Sequence, residues 1–507
     1  MKSILTITLF IIASSVYGQK LKLKVVGQKD TTVFLIKYFG KGLYYADTAE
    51  IKGGYVEFDG SKQKAGILGL LLPEQKYFEF VYNNEEVVLE TKAEDLQGAL
   101  KVKKSEENKI FLPYVQFIGE KKSESGKYLE ERKGLSKDDP KFTSLTNKID
   151  SLNKLVIDYQ NKLIADHPTT LVSKVVKMSM DIDIPEAPVD EKGNVIDSFF
   201  RFNYFRTHYW DNVDLKDDRL VNTPVFHNKL EYYFGKNMLV QHWDTILNYA
   251  YQFCDQLDPK SKTFEYCVSW ITSTYGKSKI MGMDKVYIMM ADKYYCSKNA
   301  DGKSPAFWMT DEKLEDLCEK IPVQRRLVMG AVPPNVSLRD TTDVQWKDFY
   351  SLNSEYTILY FWDPECGHCK KTTPKLETLY QEKFKERNVE IFAVGKAVGE
   401  DFEKWKKFIR DNKLTFINVA VTDPLYKAAM EDARQFVPKY TTIESLNYQT
   451  TYDIFSTPRV FVLDKDKKII AKSISVSQLE EFIDRLQGFE DLPKIFPPDP
   501  EEDEQMH

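Results

Sequence analysis

Between residues 21 and 104 the apolar residues come in short alternating runs, among them Leu23-Lys-Val-Val26, Thr32-Val-Phe-Leu-Ile-Lys-Tyr38, Tyr77-Phe-Glu-Phe-Val-Tyr82 and Glu86-Val-Val-Leu-Glu-Thr91. A period of two puts successive side chains on opposite faces of a strand, and Gly40, Gly42, Gly53, Gly54, Gly60 and Asn83-Asn84 interrupt the runs where turns must fall. The pattern predicts a small β-sandwich or barrel. Near Glu106 the period changes: Leu145, Ile149, Leu152, Leu155, Val156 and Tyr159 recur at helical intervals, and charged residues fill the other face. After a loop rich in Asp and Pro at 181–188, a second helical set begins, and Leu239, Val240, Trp243, Ile246, Leu247, Ala250, Phe253 and Cys254 form one stripe. From about Arg326 strands and helices alternate. Strands are predicted at 357–362, 388–394, 415–421, 459–463 and 469–471, with helices from Cys366 toward Phe384 and over 400–411, the latter burying Phe402, Trp405, Phe408 and Ile409. A closing helix carries Leu479, Phe482, Ile483 and Leu486 on one face, with Ser477 and Glu480 spaced as a capping box. Alternation of this kind yields a sheet flanked by helices.

These textures divide the chain into a β domain at 19–104, an α-helical domain at 105–325, an α/β domain at 326–495 and an acidic tail at 496–507. A length of 507 residues agrees with about three domains. Apolar residues at 42% and aromatic residues at 13% are enough to fill several cores. A net charge of −6 concentrates no positive potential, which argues against nucleic acid or an anionic membrane surface as partner.

The first residues change the picture of where the chain works. Met1-Lys2, the apolar run at 4–13 and the small residues Val16 and Gly18 read as a secretory signal over 1–18, cut before Gln19. The run is shorter than the roughly 20 residues a membrane span needs, and no cysteine follows it as a lipid attachment point. No later stretch is long and apolar enough to span. The mature chain is therefore expected in an exported compartment, periplasm or cell envelope, where disulfides persist. There Cys254, Cys267, Cys296 and Cys318 can pair in three ways; Cys254 with Cys267 and Cys296 with Cys318 is the expected set, with buried free thiols as the alternative. The aromatic segment at 199–215 reads as core ahead of a ligand pocket or client-binding surface, and the Met-rich run at 279–290 reads as a core helix. His208, His227 and His242 are too far apart to be read as metal ligands.

One stretch carries a nameable chemistry: Ile358-Leu-Tyr-Phe-Trp362-Asp-Pro-Glu-Cys366-Gly-His-Cys369-Lys-Lys-Thr-Thr-Pro374. A strand-like run ends in a Cys-x-x-Cys pair at a helix start, where the helix N-terminus stabilises the first sulfur as a thiolate. The spacing also suits half of a zinc site, but the other four cysteines include no second close pair. Redox is the reading, and no metal, flavin or nucleotide motif accompanies it.

Phe361-Trp362, Cys366-Gly-His-Cys369, Pro374 and Thr457-Pro458 make the C-terminal third resemble the thioredoxin superfamily, and within it the TlpA/ResA-like exported thiol-disulfide oxidoreductases. The arrangement as a whole is similar to multidomain members in Bacteroidota, whose β and helical domains precede the redox domain. The resemblance implies a thioredoxin-like fold in which Cys366 attacks, Cys369 resolves, and Thr457-Pro458 forms a cis-proline loop facing the disulfide, with Trp362 and Pro374 in support. Proline is the one residue with a readily populated cis peptide, and it lacks an N–H that could compete at the sulfur. His368, between the cysteines, stabilises the thiolate and makes the pair more oxidising than a Gly-Pro spacer would. The implied partners are protein thiols or disulfides and a membrane-embedded thiol carrier.

Two positions depart from the family pattern: Tyr360 stands where thioredoxins have a buried Asp, and Glu365 where they have Trp. That leaves the proton acceptor for Cys369 open, with Glu400 as a candidate beside its plain reading as a surface glutamate. The segment at 424–452 is longer than the resemblance implies and either shapes a client groove or packs. The competing function is a cell-envelope binding or scaffold protein whose dithiol is a redox switch. Peroxide reduction is disfavoured, because Trp362-Asp-Pro-Glu-Cys366 lacks the threonine-containing setting of a peroxidatic cysteine.

Overall fold

In the computed structural model, which describes residues 19–498, the alternating N-terminal runs fold into eight strands. The expected signal segment and all but the first residues of the acidic tail lie outside the described residues. The strands are β1 (Lys20–Val26), β2 (Thr31–Phe39), β3 (Gly42–Ile51), β4 (Tyr55–Asp59), β5 (Gly66–Leu71), β6 (Tyr77–Tyr82), β7 (Val87–Lys92) and β8 (Lys101–Lys104). They form two sheets, β4-β1-β7-β8 and β3-β2-β5-β6. Leu21, Leu23 and Val25 of β1, Leu35 of β2, Leu70 of β5 and Phe80 of β6 meet in one core, so the period-two pattern resolves as a sandwich. The outer edge of β6 is closed by a side chain: Asn108 Nδ2 donates to the Val81 carbonyl at 2.7 Å, and its Oδ1 accepts from the Val81 N–H at 2.9 Å. An amide there occupies the groups that another strand would otherwise pair with.

The helical segment comprises α1 (Glu106–Arg132), α2 (Pro140–Asp166), α3 (Leu171–Ser179), α4 (Phe200–His208), α5 (Pro224–Phe234), α6 (Trp243–Cys254), α7 (Lys262–Gly276), α8 (Asp284–Ala291) and α9 (Asp311–Arg325). The chain forms two compact units, one of the residues up to Val240 with Asp255–Cys267, the other of Gln241–Cys254 with the residues from Val268 on. Several core expectations need correction, and Leu155, Ile280 and Leu486 are exposed. Val240 precedes α6 and is 73% exposed. Within the aromatic segment Tyr209 is buried, but Phe199 and Phe202 are exposed and α4 buries no residue. Its aromatics at 200, 202, 204 and 205 spread around a helix of 3.6 residues per turn rather than along one stripe. Cys296 and Cys318 are joined as a disulfide with Cα atoms 5.4 Å apart. The other expected bond, Cys254 with Cys267, is not shown, and both of those residues are buried.

The C-terminal region holds β9 (Ser337–Asp340), β10 (Trp346–Asp348), β11 (Tyr356–Trp362), α10 (Gly367–Leu379), β12 (Val389–Gly395), α11 (Asp401–Asp411), β13 (Ile417–Ala420), α12 (Asp423–Asp432), α13 (Ile443–Leu446), α14 (Tyr448–Thr451), β14 (Arg459–Leu463), β15 (Ile469–Lys472) and α15 (Val476–Gln487). Seven strands lie in the order β10-β9-β13-β12-β11-β14-β15. β11 runs parallel to β12 and antiparallel to β14. Its side chains divide between two cores: Ile358, Tyr360 and Trp362 on one face, Leu359 and Phe361 on the other. A continuous apolar run is what a strand covered on both faces requires. The segment at 424–452 is largely helical, carrying most of α12 together with α13 and α14.

The closing helix starts earlier than its spacing suggested. Ser475 and Gln478 form the capping box, each accepting from the other's backbone N–H. Glu480 has another use. With Asp484 it lies fully buried against Lys383, and Asp484 also takes Arg387 and Lys494, each at 2.7 Å. Glu480 accepts the backbone N–H groups of Ile495 and Phe496 as well, tying the chain after α15 to the domain. Burial pushes the Asp484 carboxyl up, but hydrogen bonds from Lys494, Lys383 and Arg387 outweigh it and hold the group below its usual value. Lys383→Met would leave two buried carboxylates short of a cation. It should destabilise the protein by about 3–5 kcal/mol, read as a lower urea midpoint at pH 7 with an unchanged slope.

Candidate active site

β11 ends at Trp362, and Asp363-Pro-Glu-Cys366 turns the chain into α10. Asp363 organises that turn: its Oδ1 accepts from the Glu365 N–H at 2.8 Å and its carbonyl from the Cys366 N–H at 3.1 Å. Cys366 is the N-cap of α10 in extended conformation (φ −69°, ψ 126°), and its Sγ accepts from the Cys369 N–H at 3.4 Å. Sulfur thus stands where a serine or aspartate oxygen would normally cap. On its other side the Cys366 thiol donates to the Thr457 carbonyl at 3.1 Å, and the Thr457–Pro458 peptide is cis. The structure brings Cys366, Cys369, Thr457 and Pro458 together at the ends of β11, α10 and β14.

The two thiols differ in exposure and acidity. Cys366 is half-buried and Cys369 fully buried. Burial pushes the Cys366 thiol up, but hydrogen bonds from the Cys369 backbone, the Cys369 thiol, Thr457 and the His368 backbone outweigh it, so the group sits below its ordinary value. Burial pushes Cys369 up to about 12, only partly offset by the Asp363 backbone and Thr457. His368 is exposed, and what it directs at the sulfur is its backbone N–H.

Tyr360 lies fully buried on the Cys369 face of β11, its hydroxyl sharing a 2.8 Å hydrogen bond with Thr373 Oγ1. Burial, then negative charge on the Cys369 and Cys366 sulfurs, pushes its phenol well above the ordinary value. A phenol held protonated in this way can donate a hydrogen bond and cannot take a proton. Glu400 is exposed at the N-terminus of α11, away from the interior that holds Cys369. Trp362 is buried against Phe408, ring centroids 5.1 Å apart. Its partner across β12 is Gly395, where a Cβ would fall 2.1 Å from Trp405 Nε1, so only glycine lets that indole pack there. Pro374 is half-buried inside α10.

Sequence reasoning missed two contributors. Asp363 shapes the turn and reaches Lys396 at 3.4 Å, and Lys396 also pairs with Asp401 at 2.9 Å. Phe455, two residues before Thr457, is 83% exposed. Asp363-Pro364 after an apolar strand is a local turn signal that could have found the first role, whereas the pairing with Lys396 and the place of Phe455 depend on how distant strands align. Among the described residues no cluster of His, Cys, Asp and Glu could hold a metal, and no helix is long and apolar enough to cross a membrane.

Residues 353–469 match a family model described as thioredoxin-like, while 20–111 and 160–307 match two domains of unknown function, DUF4369 and DUF5106. A thiol-disulfide oxidoreductase ResA from Bacillus cereus is 26% identical over 176 residues, 34% of this chain and 82% of that protein. A crystal structure described as a domain of "possible thiol-disulfide isomerase" from Cytophaga hutchinsonii is 33% identical, covering 32% of this chain and 94% of that one with a TM-score of 0.25. A thioredoxin-like protein from Bacteroides caccae is 16% identical, covering 60% of this chain and 98% of that one with a TM-score of 0.30.

Alkylation by iodoacetamide checks the acidity difference. The Cys366 rate should rise with pH and level off below 9.0, the ordinary thiol value. Cys369, buried and protonated up to about 12, should stay unmodified until the protein is unfolded. Equal modification of both residues by peptide mass mapping would refute the difference.

Proposed function

We propose that this chain, whose C-terminal domain is thioredoxin-like and akin to thiol-disulfide oxidoreductases, exchanges disulfides with protein clients in an exported compartment through Cys366 and Cys369. The observation that carries this reading is the split between the two sulfurs: one accessible and acidified at a helix start, the other buried and held as a thiol. Export is supported by the Cys296–Cys318 disulfide, a bond that persists outside the reducing cytosol.

The Cys366 thiolate attacks one sulfur of a client disulfide. The client S–S bond breaks, a Cys366–client bond forms, and the departing client sulfur takes a proton. Cys369 then loses its proton and attacks Cys366. An intramolecular disulfide forms, and the client leaves as a dithiol with two electrons from the pair. The same steps in reverse oxidise a client dithiol. Only a deprotonated Cys369 completes the second step; burial is the main cause that holds this thiol up to about 12, and the mixed disulfide lowers it only by removing the smaller contribution of the Cys366 charge. Glu400, on the surface, has no direct path to that proton. In this reading the proton passes to the client sulfur that departs as Cys369 attacks and the Cys366–client bond breaks.

Thr457 and Pro458 present a backbone edge to the client, with Pro458 contributing no N–H. His368 raises the potential of the pair relative to a Gly-Pro spacer, its backbone N–H supporting the thiolate. Trp362 and Pro374 set the strand end and the helix that carry the two sulfurs. The electrons come from or go to a thiol partner, assigned here to a membrane-embedded carrier.

Cys369→Ser removes the resolving thiol and leaves the attacking one. It should accumulate mixed disulfides on Cys366 with several extracytoplasmic proteins, each released by dithiothreitol, while the native protein turns over insulin disulfides. Capture of nothing by the variant, together with no insulin turnover by the native protein, would favour the redox-switch scaffold instead.

A further inference from the structure

Where the β sandwich meets the first turn of α7 there is a cleft of about 430 Å³, and all of its lining belongs to the first compact unit. Sites for small molecules run to about 300–1,000 Å³. Phe39 lines this one from the end of β2, Tyr44 and Tyr45 from β3, Leu68 from β5, and Lys262 and Glu265 from α7. β3 is an edge strand, and a bulge that leaves Ala46 unpaired bends it next to the two tyrosines.

The walls are held in place from behind. The Tyr45 ring packs on Phe34 with centroids 5.0 Å apart, and the Phe39 ring meets Tyr266 edge-on at 5.1 Å. A Cβ at Gly42 would fall 2.6 Å from the Tyr44 ring, and one at Gly66 would fall 2.4 Å from the Asn222 Cβ. Glycine therefore lets both side chains lie against the backbone, and Asn222 is fixed there by donating to the Ala65 carbonyl at 2.8 Å. Rings already ordered in this way lose little freedom when a ligand covers them.

The charge of the lining is one-sided. Glu265 is the one carboxylate among the described lining residues, and it is paired with Lys262. Lys37 and Lys64 also line the cleft, both exposed, and among the described residues neither ammonium has a carboxylate within ion-pair distance. A single exposed lysine is ordinary on a protein surface. Two of them beside open rings, with Tyr44 52% and Tyr45 69% exposed, offer an anion its counter-charge and an apolar body a surface to lie on. We infer that the cleft binds a small amphipathic carboxylate, its aromatic or aliphatic body laid on Phe39, Tyr44 and Tyr45 and its carboxylate held by Lys37 and Lys64. This gives the β domain a ligand-binding role that does not depend on the dithiol.

The test is equilibrium dialysis of the full chain at low salt, where ion pairs are least screened, against naphthoate and against naphthol, which has the same rings and is uncharged at neutral pH. Native protein should bind naphthoate saturably and about fivefold or more tighter than naphthol. Lys37→Gln combined with Lys64→Gln, both surface changes, should remove that preference. Tyr45→Ala, also on the surface, should weaken both probes about threefold or more. No saturable binding of naphthoate, equal affinity for the two probes, a preference unchanged in the double lysine variant, or affinities unchanged by Tyr45→Ala would each overturn the site.

Discussion

The constraint on which the site depends is the burial of β11 on both faces and its pairing along both edges. Five consecutive residues, Ile358 to Trp362, divide between two cores, while β12 and β14 hold the strand from either side. A one-residue slip would exchange the two faces and send Tyr360 and Trp362 into the wrong core. Because the register cannot move, the chain leaves the sheet at one place, and Cys366 four residues later is delivered to the N-terminus of α10. The same strand pairing sets Phe361 opposite Arg459, which brings Thr457 and Pro458 up to the sulfur. Fold and reactive geometry are thus one consequence of one buried strand.

That placement explains why two chemically identical side chains behave differently. Cys366 replaces a capping oxygen and is met by N–H groups that a helix start leaves without partners. Cys369, one turn on, faces the core beside Tyr360 and gains little from the helix dipole there. The sulfur that must be nucleophilic is acidified by backbone, and the one that must wait is suppressed by burial. Neither effect requires a dedicated acid or base, which is consistent with Tyr360 in a place where an ionisable carboxylate would serve.

Much of this was legible in the sequence where the signal is local. The apolar run at 357–362 and the Cys-x-x-Cys that follows it announce a buried strand turning into a helix, and Trp405 and Ile409 at helical spacing are buried in α11 as their period implies. The two front textures, alternating and then helical, appear as a sandwich and a set of helices. What was not legible depends on neighbours distant in the chain. The spacing of Ser477 and Glu480 predicts a capping box; in the fold Glu480 anchors Lys383 and the chain after α15, while Ser475 and Gln478 take the capping role. A dense aromatic cluster predicts core at Phe199 and Phe202, and clustering alone misleads there because α4 buries no residue and spreads its aromatics over more than one face. Asp363, Lys396 and Phe455 meet around one cleft only after three strands align.

The measurement that bears most directly on the central claim is the redox equilibrium of the Cys366 and Cys369 pair against glutathione. The account expects a single two-electron transition between dithiol and intramolecular disulfide, with a potential above about −270 mV, the value typical of thioredoxin. Failure of the two cysteines to form a disulfide with each other, or a potential at or below that value, would contradict it.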